Sequence, residues 1–483
     1  MLFNSFEYLF FLPITFLLYW FVFQKKVRVQ NLFLIFVSYI FYGLWDYRFL
    51  LLIFSSTLVD YVVGLQLFKY RNNTKLKKKW LYLSLAFNLG LLATFKYFNF
   101  FLDSFINLAS NFGYSIGDSW TLKIILPVGI SFYTFQTLSY SLDIYYKRLT
   151  PTKDLISFTA FVSFFPQLVA GPIERASNLL GQIKERRIFS AAQIEAGGKL
   201  ILWGLFKKMV IADAMAPMVD DIFTNYQTQS TSTLILGLVF FSFQVYGDFS
   251  GYSDIAIGTA KMFGIELMSN FKFPNFSRNV AEYWQRWHIS LSTWFRHYVY
   301  IPLGGSRVAK CLSVRNIIII FLISGFWHGA NWTFIAWGAL HALFYIPVFL
   351  MGHNRKYAHT VVAEHKWFPN LVEIGQILLT FTLVTFSRIF FRSPSITDAF
   401  GYLNALVSNT HLSGYSHPVG YRMVDYYILL LLFVGYEYFI RKDERNPFPF
   451  KYKGIRLTAY ASICLAILLF YENTSRAFIY FQF

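Results

Sequence analysis

The chain has 483 residues, 56% of them hydrophobic and only 14% charged, where a soluble domain is roughly a quarter charged, so a string of soluble domains is excluded. Aromatic residues make up 21%, as at bilayer interfaces and in packed helix bundles, and the apolar runs suit spanning helices, not barrel strands. The net charge of +18 sits in short basic clusters between apolar runs, the pattern of cytoplasmic loops, so no nucleic-acid partner is expected. The two cysteines, Cys311 and Cys464, have no disulfide or metal spacing, and no metal site is expected. The expected fold class is an all-α polytopic membrane protein: one integral membrane domain over residues 1–483, seated in the lipid bilayer.

The first apolar run, Tyr8–Phe23, has its positive charge after it, at Lys25, Lys26 and Arg28, and no small-residue cleavage site. It reads as a retained first helix with its N-terminus outside, and not as a signal peptide. Further helices are expected at Asn31–Leu44, Phe49–Phe68, Trp80–Phe101 and Leu122–Tyr146. The basic loop from Lys69 to Lys79 falls in the cytoplasm, and Leu102–Trp120, with Asp103 and Asp118 but no Lys or Arg, falls outside.

Three elements then break the up-and-down pattern. Leu155–Ala170 has basic residues on both flanks and Pro166, Gly171 and Pro172 at its end, which reads as a re-entrant segment. Ile194–Asp213 carries Lys199, Lys207 and Lys208 on an apolar helix and reads as lying in the membrane interface. Leu234–Gly264 is interrupted by Tyr246–Asp254 (YGDFSGYSD) and reads as a broken or re-entrant element, with Asp248 and Asp254 suited to cap helix ends at the break.

Phe276–Leu303 shows Trp284, Trp287, His288, Leu291, Trp294, Phe295 and Tyr298 at three- and four-residue spacing. This pattern predicts one amphipathic helix lying in the interface, its Trp-rich face carrying His288. The stretch Arg315–Met351 follows, with no charged residue inside it and with Gly325-Phe326-Trp327-His328-Gly329-Ala330-Asn331-Trp332 at its middle. Its basic flanks share a sign, which predicts a hairpin or two half-helices with His328 near the apex. Later helices are expected at Val372–Phe391, Tyr426–Ile440 and Leu457–Tyr471. No internal repeat is visible, which speaks against transporters built from duplicated halves.

A titratable ring at membrane depth is costly and by default marks a functional site, so His328 and His288 are the candidate catalytic pair. A buried neutral imidazole can take a proton from a hydroxyl as that hydroxyl attacks an acyl carbon. Phe326, Trp327 and Trp332 would exclude water, which competes with an alcohol in a transferase. Asn331, three residues after His328, falls on the same helix face and could bond the imidazole or the substrate. Trp287 and Asp248 complete the candidate lining. The competing readings are a core histidine bonded to a carbonyl at His328 and an interfacial one at His288, and His341 reads as structural. HExxH, Walker A, GxSxG and dinucleotide motifs are absent.

With LVAGPIER (Leu168–Arg175), YGDFSGYSDIAIG (Tyr246–Gly258), YWQRWHISLSTWFRHYVYIPLGGSR (Tyr283–Arg307) and FWHGANW (Phe326–Trp332), the chain resembles the membrane-bound O-acyltransferase family, in its bacterial alginate O-acetyltransferase branch. The resemblance covers nearly the whole length, with a catalytic core of about residues 122–350. It implies that His328 is the catalytic residue, that His288 lines the same site, and that helices ring a central tunnel. It also implies transfer of an acyl group, acetyl above others, from a cytoplasmic thioester such as acetyl-CoA to an extracytoplasmic polysaccharide, an exopolysaccharide or peptidoglycan. No bound cofactor is implied. A partner of the SGNH-hydrolase kind and a place in the bacterial cytoplasmic membrane are. The sequence carries His297 where alginate enzymes tend to have an acid, so the resemblance leaves the acceptor open. D-alanyl transfer to a cell-wall polymer is the alternative within the family. From another class comes a proton-coupled transporter with His328 as relay, against which stands the lack of any carboxylate pair near His328.

Overall fold

The computed structural model describes residues 1–114, 124–169, 171–471 and 476–479. Among the described residues every regular element is helical. Among the described residues seven helical stretches are long and apolar enough to cross a membrane, and the protein is a multi-pass membrane protein. The chain forms two compact units, Met1–Ala191 with Ala260–Leu267, and Ala192–Thr259 with Met268–Phe483.

The first unit holds α1 (Phe6–Leu17), α2 (Val27–Asp46), α3 (Leu50–Lys69), α4 (Thr74–Leu92), α5 (Phe98–Asn111), α6 (Ile130–Tyr145), α7 (Leu155–Ser163), α8 (Phe165–Leu168) and α9 (Ala176–Lys184). Polar side chains tie its apolar helices together, as expected where no hydrophobic force acts between helices in lipid. Buried Asp60 of α3 accepts from Ser84 and Asn88 of α4 and from Ser141 of α6. Asn31 of α2 donates to Ser157 of α7 and to the Ile183 carbonyl of α9. The expected outside loop begins later than the sequence suggests, because α5 runs on to Asn111; residues 115–120 of that loop lie outside the described residues. Leu122 and Thr121 lie outside them too, and the helix placed at Leu122–Tyr146 starts at Ile130. The segment Leu155–Ala170 is split at Phe164 into helices of 9 and 4 residues, each too short to cross a bilayer; Ala170 lies outside the described residues.

The second unit holds α10 (Ala191–Leu205), α11 (Ala214–Thr224), α12 (Thr231–Met262, which runs on into the first), α13 (Val280–Arg286), α14 (Ile289–Phe295), α15 (Lys310–His328), α16 (Trp332–Leu350), α17 (Leu371–Arg392), α18 (Ile396–Ser408), α19 (Met423–Ile440) and α20 (Lys453–Leu469). This unit departs from the sequence expectation at α12 and at the lysines facing it. The YGDFSGYSD stretch does not break its helix, since α12 is one helix of 32 residues. Its glycines serve close approach: a Cβ on Gly251 would stand 2.7 Å from the Gly204 carbonyl oxygen, and one on Gly258 2.5 Å from that of Gly197. α10 therefore packs on α12 backbone to backbone. Two of the three lysines of this region also differ from the expectation of an outward polar face, while Lys199 pairs with exposed Glu195. Lys207 and Lys208 are 3% and 1% exposed and pair inward, Lys207 with Asp254 at 2.7 Å and Lys208 with Asp213 and Asp248 at 2.7 and 2.8 Å. Asp248 and Asp254 are thus mid-helix counterions, not caps.

The Trp-rich stretch is not one helix. It is α13, a corner at Trp287–His288, α14, and a wide turn over Arg296–Tyr300. Trp284, Trp287 and Trp294 are buried, so the face read as interfacial points into protein. The Arg315–Met351 stretch does fold as a hairpin, α15 and α16, joined by Gly329–Asn331, with His328 as the last residue of α15. Each arm has 19 residues and is long enough to span, so these are not half-helices. Gly325 and Gly338 let the arms touch: added Cβ atoms would meet the Phe334 and Phe321 carbonyl oxygens at 2.2 and 2.3 Å.

Candidate active site

Three elements bring the site together, the α12 helix, the corner before α14 and the end of α15. His288 and His328 are 0% and 2% exposed, and their ring centroids lie 6.4 Å apart.

Around His328 the walls are aromatic. Trp337 of α16 stands edge-on at 5.0 Å, Trp327 at 5.1 Å and Phe391 of α17 at 5.7 Å. Trp337 is in place because it shares the inner face of α16 with His341, one turn on. Trp327 also faces His288, at 5.8 Å, so it walls both rings. Phe249 of α12 closes the other side of His288 at 4.6 Å.

His288 is held differently. Its backbone is left-handed, with φ at +43°, which costs a non-glycine residue about 1–3 kcal/mol and persists only where the surroundings enforce it. Its Nδ1 lies 3.0 Å from Asn270 Oδ1. Burial disfavours the charged form of the imidazole and so favours the neutral ring.

The other sequence candidates fall elsewhere. Asn331 does not reach the imidazole. It caps α16, its Oδ1 accepting from the Thr333 amide at 3.0 Å and its Nδ2 donating to the Pro394 carbonyl at 2.8 Å. Trp332 is 55% exposed. Trp287 turns away from the pair, stacking on Tyr283 at 5.6 Å with Phe271 against its edge. Asp248 sits one residue before Phe249 but points to Lys208 and takes the Ile479 amide at 2.7 Å. His341 is a built-in core histidine: its Nδ1 accepts from Trp284 Nε1 at 3.3 Å, which leaves Nε2 to donate to Ser387 Oγ at 2.9 Å. Sequence reasoning missed Asn270, Phe249, Trp337 and Phe391. Trp337 had a signal in its four-residue spacing from His341, and Phe249 in its place within the YGDFSGYSD motif.

Two cavities lie in the same unit, neither of them lined by His288 or His328. The larger, about 700 Å³, is lined by Trp284, Phe321 and Ser324 together with Arg296 and Arg355. Ser324 lies one turn before His328 on α15, and Trp284 touches Trp337, which touches His328. An apolar cavity with a few convergent cations is the form of a ligand site. The smaller, about 190 Å³, is polar, lined by Lys208, Asp213, Asp248, Asp220, Arg392 and Arg476.

The family model of MBOAT, the membrane-bound O-acyltransferase family, matches residues 80–391, which include both histidines. A "Probable alginate O-acetylase AlgI" of Pseudomonas aeruginosa is 38% identical over 409 residues, covering 84% of this chain and 75% of that protein. A "Peptidoglycan O-acetyltransferase" of Helicobacter pylori is 33% identical over 532 aligned residues, covering 100% of this chain and 98% of that protein. A "Teichoic acid D-alanyltransferase" of Bacillus subtilis is 28% identical over 282 residues, covering 55% and 68%.

Proposed function

Since the chain belongs to the membrane-bound O-acyltransferase family, we propose that it carries an acetyl group from a cytoplasmic thioester, acetyl-CoA or another acyl thioester, to hydroxyls of an extracytoplasmic polysaccharide, an exopolysaccharide or peptidoglycan. The observation that carries this reading is the His288–His328 pair, buried, with ring centroids 6.4 Å apart. The acceptor oxygen attacks the thioester carbonyl carbon while His328 takes the hydroxyl proton. The C–S bond breaks, a C–O bond forms, and the proton goes on to the leaving thiolate, so no cofactor is consumed. Trp327, Trp337 and Phe391 keep water from the carbonyl, which favours transfer over hydrolysis. The larger cavity suits the donor, its aromatic lining leading toward His328 and its Arg296 and Arg355 taking the donor's phosphates. The whole chain works as one membrane domain of the bacterial cytoplasmic membrane, and an SGNH-type partner outside receives or delivers the group. The more distant D-alanyltransferase likeness covers little over half of the chain, so acetyl transfer is preferred.

The test is reconstitution in proteoliposomes with acetyl-labelled CoA on one side and a polyol acceptor, with the membrane partner, on the other. Ester-linked label on the acceptor or partner is expected. Labelled acetate or a proton current crossing without ester formation would instead establish a transporter.

A further inference from the structure

The environment of His288 determines which of its nitrogens carries the proton. Asn270 is 1% exposed and precedes the corner by a long excursion, yet it binds the corner at four points. Its backbone carbonyl accepts from the Ile289 amide at 2.9 Å. Its side-chain Oδ1 receives the Ser290 hydroxyl at 2.9 Å and the Ser290 amide at 3.4 Å, and lies 3.0 Å from His288 Nδ1. A backbone amide can only donate, so the atom that Ser290 and His288 share is the oxygen of the Asn270 amide and not its NH2. The NH2 end is engaged on the other side, donating to Ser253 Oγ on α12 at 3.0 Å. An oxygen with no proton of its own can face Nδ1 only if Nδ1 carries the hydrogen. In a neutral imidazole the remaining nitrogen, Nε2, is then an acceptor.

We propose that Asn270 is a positioning residue that locks His288 in the Nδ1–H tautomer, so that Nε2 presents a lone pair that accepts a hydrogen bond from a hydroxyl of the polyol acceptor. The acceptor role rests on the acyl-transfer reading above; the tautomer lock stands without it. The assignment divides the labour of the pair. His328 takes the proton of the attacking hydroxyl, and His288 holds a neighbouring hydroxyl of the same sugar. It also excludes Nε2 of His288 as an oxyanion donor to the thioester carbonyl. The neighbours of the ring fit the role: Phe249 and Trp327 leave it an apolar surround in which an acceptor nitrogen is strong. Second-partner control of a histidine tautomer by an amide or carboxylate oxygen is a recurring device at reactive sites.

The experiment is nitrogen-15 solid-state NMR of the full-length protein, histidine-labelled and in bilayers, with the His288 signals identified by their loss in His288→Gln. The expected spectrum shows His288 with a protonated Nδ1 and a bare Nε2. Asn270→Leu keeps the backbone tie to Ile289 and removes the side-chain oxygen. In it the His288 signals should move toward the Nε2–H form, and KM for the acceptor should rise about tenfold or more while KM for the thioester holds. Asn270→Asp keeps an oxygen facing Nδ1 and should retain the wild-type tautomer. It is also the variant to read if the leucine protein does not fold. A protonated Nε2 in the wild type, or the same tautomer in Asn270→Leu as in the wild type, overturns the lock. A lock confirmed by NMR with unchanged acceptor KM overturns the acceptor role. If no acyl transfer is detected with any variant, the transferase reading fails while the tautomer is still decided by the spectra.

Discussion

Replacing His328 by Gln is expected to slow acyl transfer by about a hundred- to ten-thousand-fold, the usual effect of removing a positioned general base. The protein should remain folded and inserted at wild-type amounts. His328 is 2% exposed, and its imidazole is wedged between Trp327, Trp337 and Phe391. Deleting the ring outright, as in His328→Ala, opens a cavity, and that by itself destabilises a packed core. Gln fills most of the space and can still hydrogen-bond, but it cannot take a proton at neutral pH. A Gln protein that is abundant and inactive therefore assigns the loss to proton transfer. The measurement is the initial rate of labelled ester formation, normalised to folded protein. Near-normal transfer by His328→Gln would make this histidine structural.

The second large effect is expected at Lys208, on stability. Its amine is buried between Asp213 at 2.7 Å and Asp248 at 2.8 Å, with side chains 1%, 15% and 3% exposed. Lys208→Met removes the only cation these two acids share at hydrogen-bonding distance among the described contacts and leaves them facing each other. Breaking a buried ion pair by removing one partner costs about 3–5 kcal/mol, because the remaining charge stays buried and uncompensated. Thermal unfolding in detergent should register a large drop for Lys208→Met. Adding Asp248→Asn to it should recover part of the loss, since one of the two stranded carboxylates is then neutral. An unchanged unfolding temperature in Lys208→Met would show that the acids are solvated or protonated and that the network bears little on stability.

How legible the protein was in its sequence differs between the hairpin and everything packed around it. The uncharged run from Arg315 to Met351 with basic flanks announces α15 and α16, and the turn at Gly329–Asn331 falls where the glycines and the capping Asn331 place it. The nearness of His288 and His328 followed from their motifs, not from periodicity. Periodicity misled at the corner. A three- and four-residue pattern runs through Trp287 and His288 without sign of a break, because one left-handed residue between two short helices leaves the spacing of buried side chains almost intact. The opposite error occurred on α12. Glycines and aspartates in YGDFSGYSD look like a broken helix until it is known that Gly204 lies against Gly251 and that Lys208 neutralises Asp248. Both partners are remote in sequence, so local propensity could not report them. Asn270 illustrates the same limit: it meets His288 through a bend of 18 residues whose path no periodic signal encodes.

The central claim is that His288 and His328 work as one unit, and a double-mutant cycle on the rate of acyl transfer tests it most directly. Rates are measured for the wild type, His288→Gln, His328→Gln and the double variant, each at matched amounts of folded protein. Residues that act as a unit are strongly non-additive: once one is gone, the second has little left to contribute. His288 holds the sugar for the base at His328, so once that base is gone its hold adds little to the rate, and the double variant is expected to be no slower than the slower of the two single variants by more than a few-fold. Losses that multiply across the cycle would mean that the two histidines act independently and would contradict it.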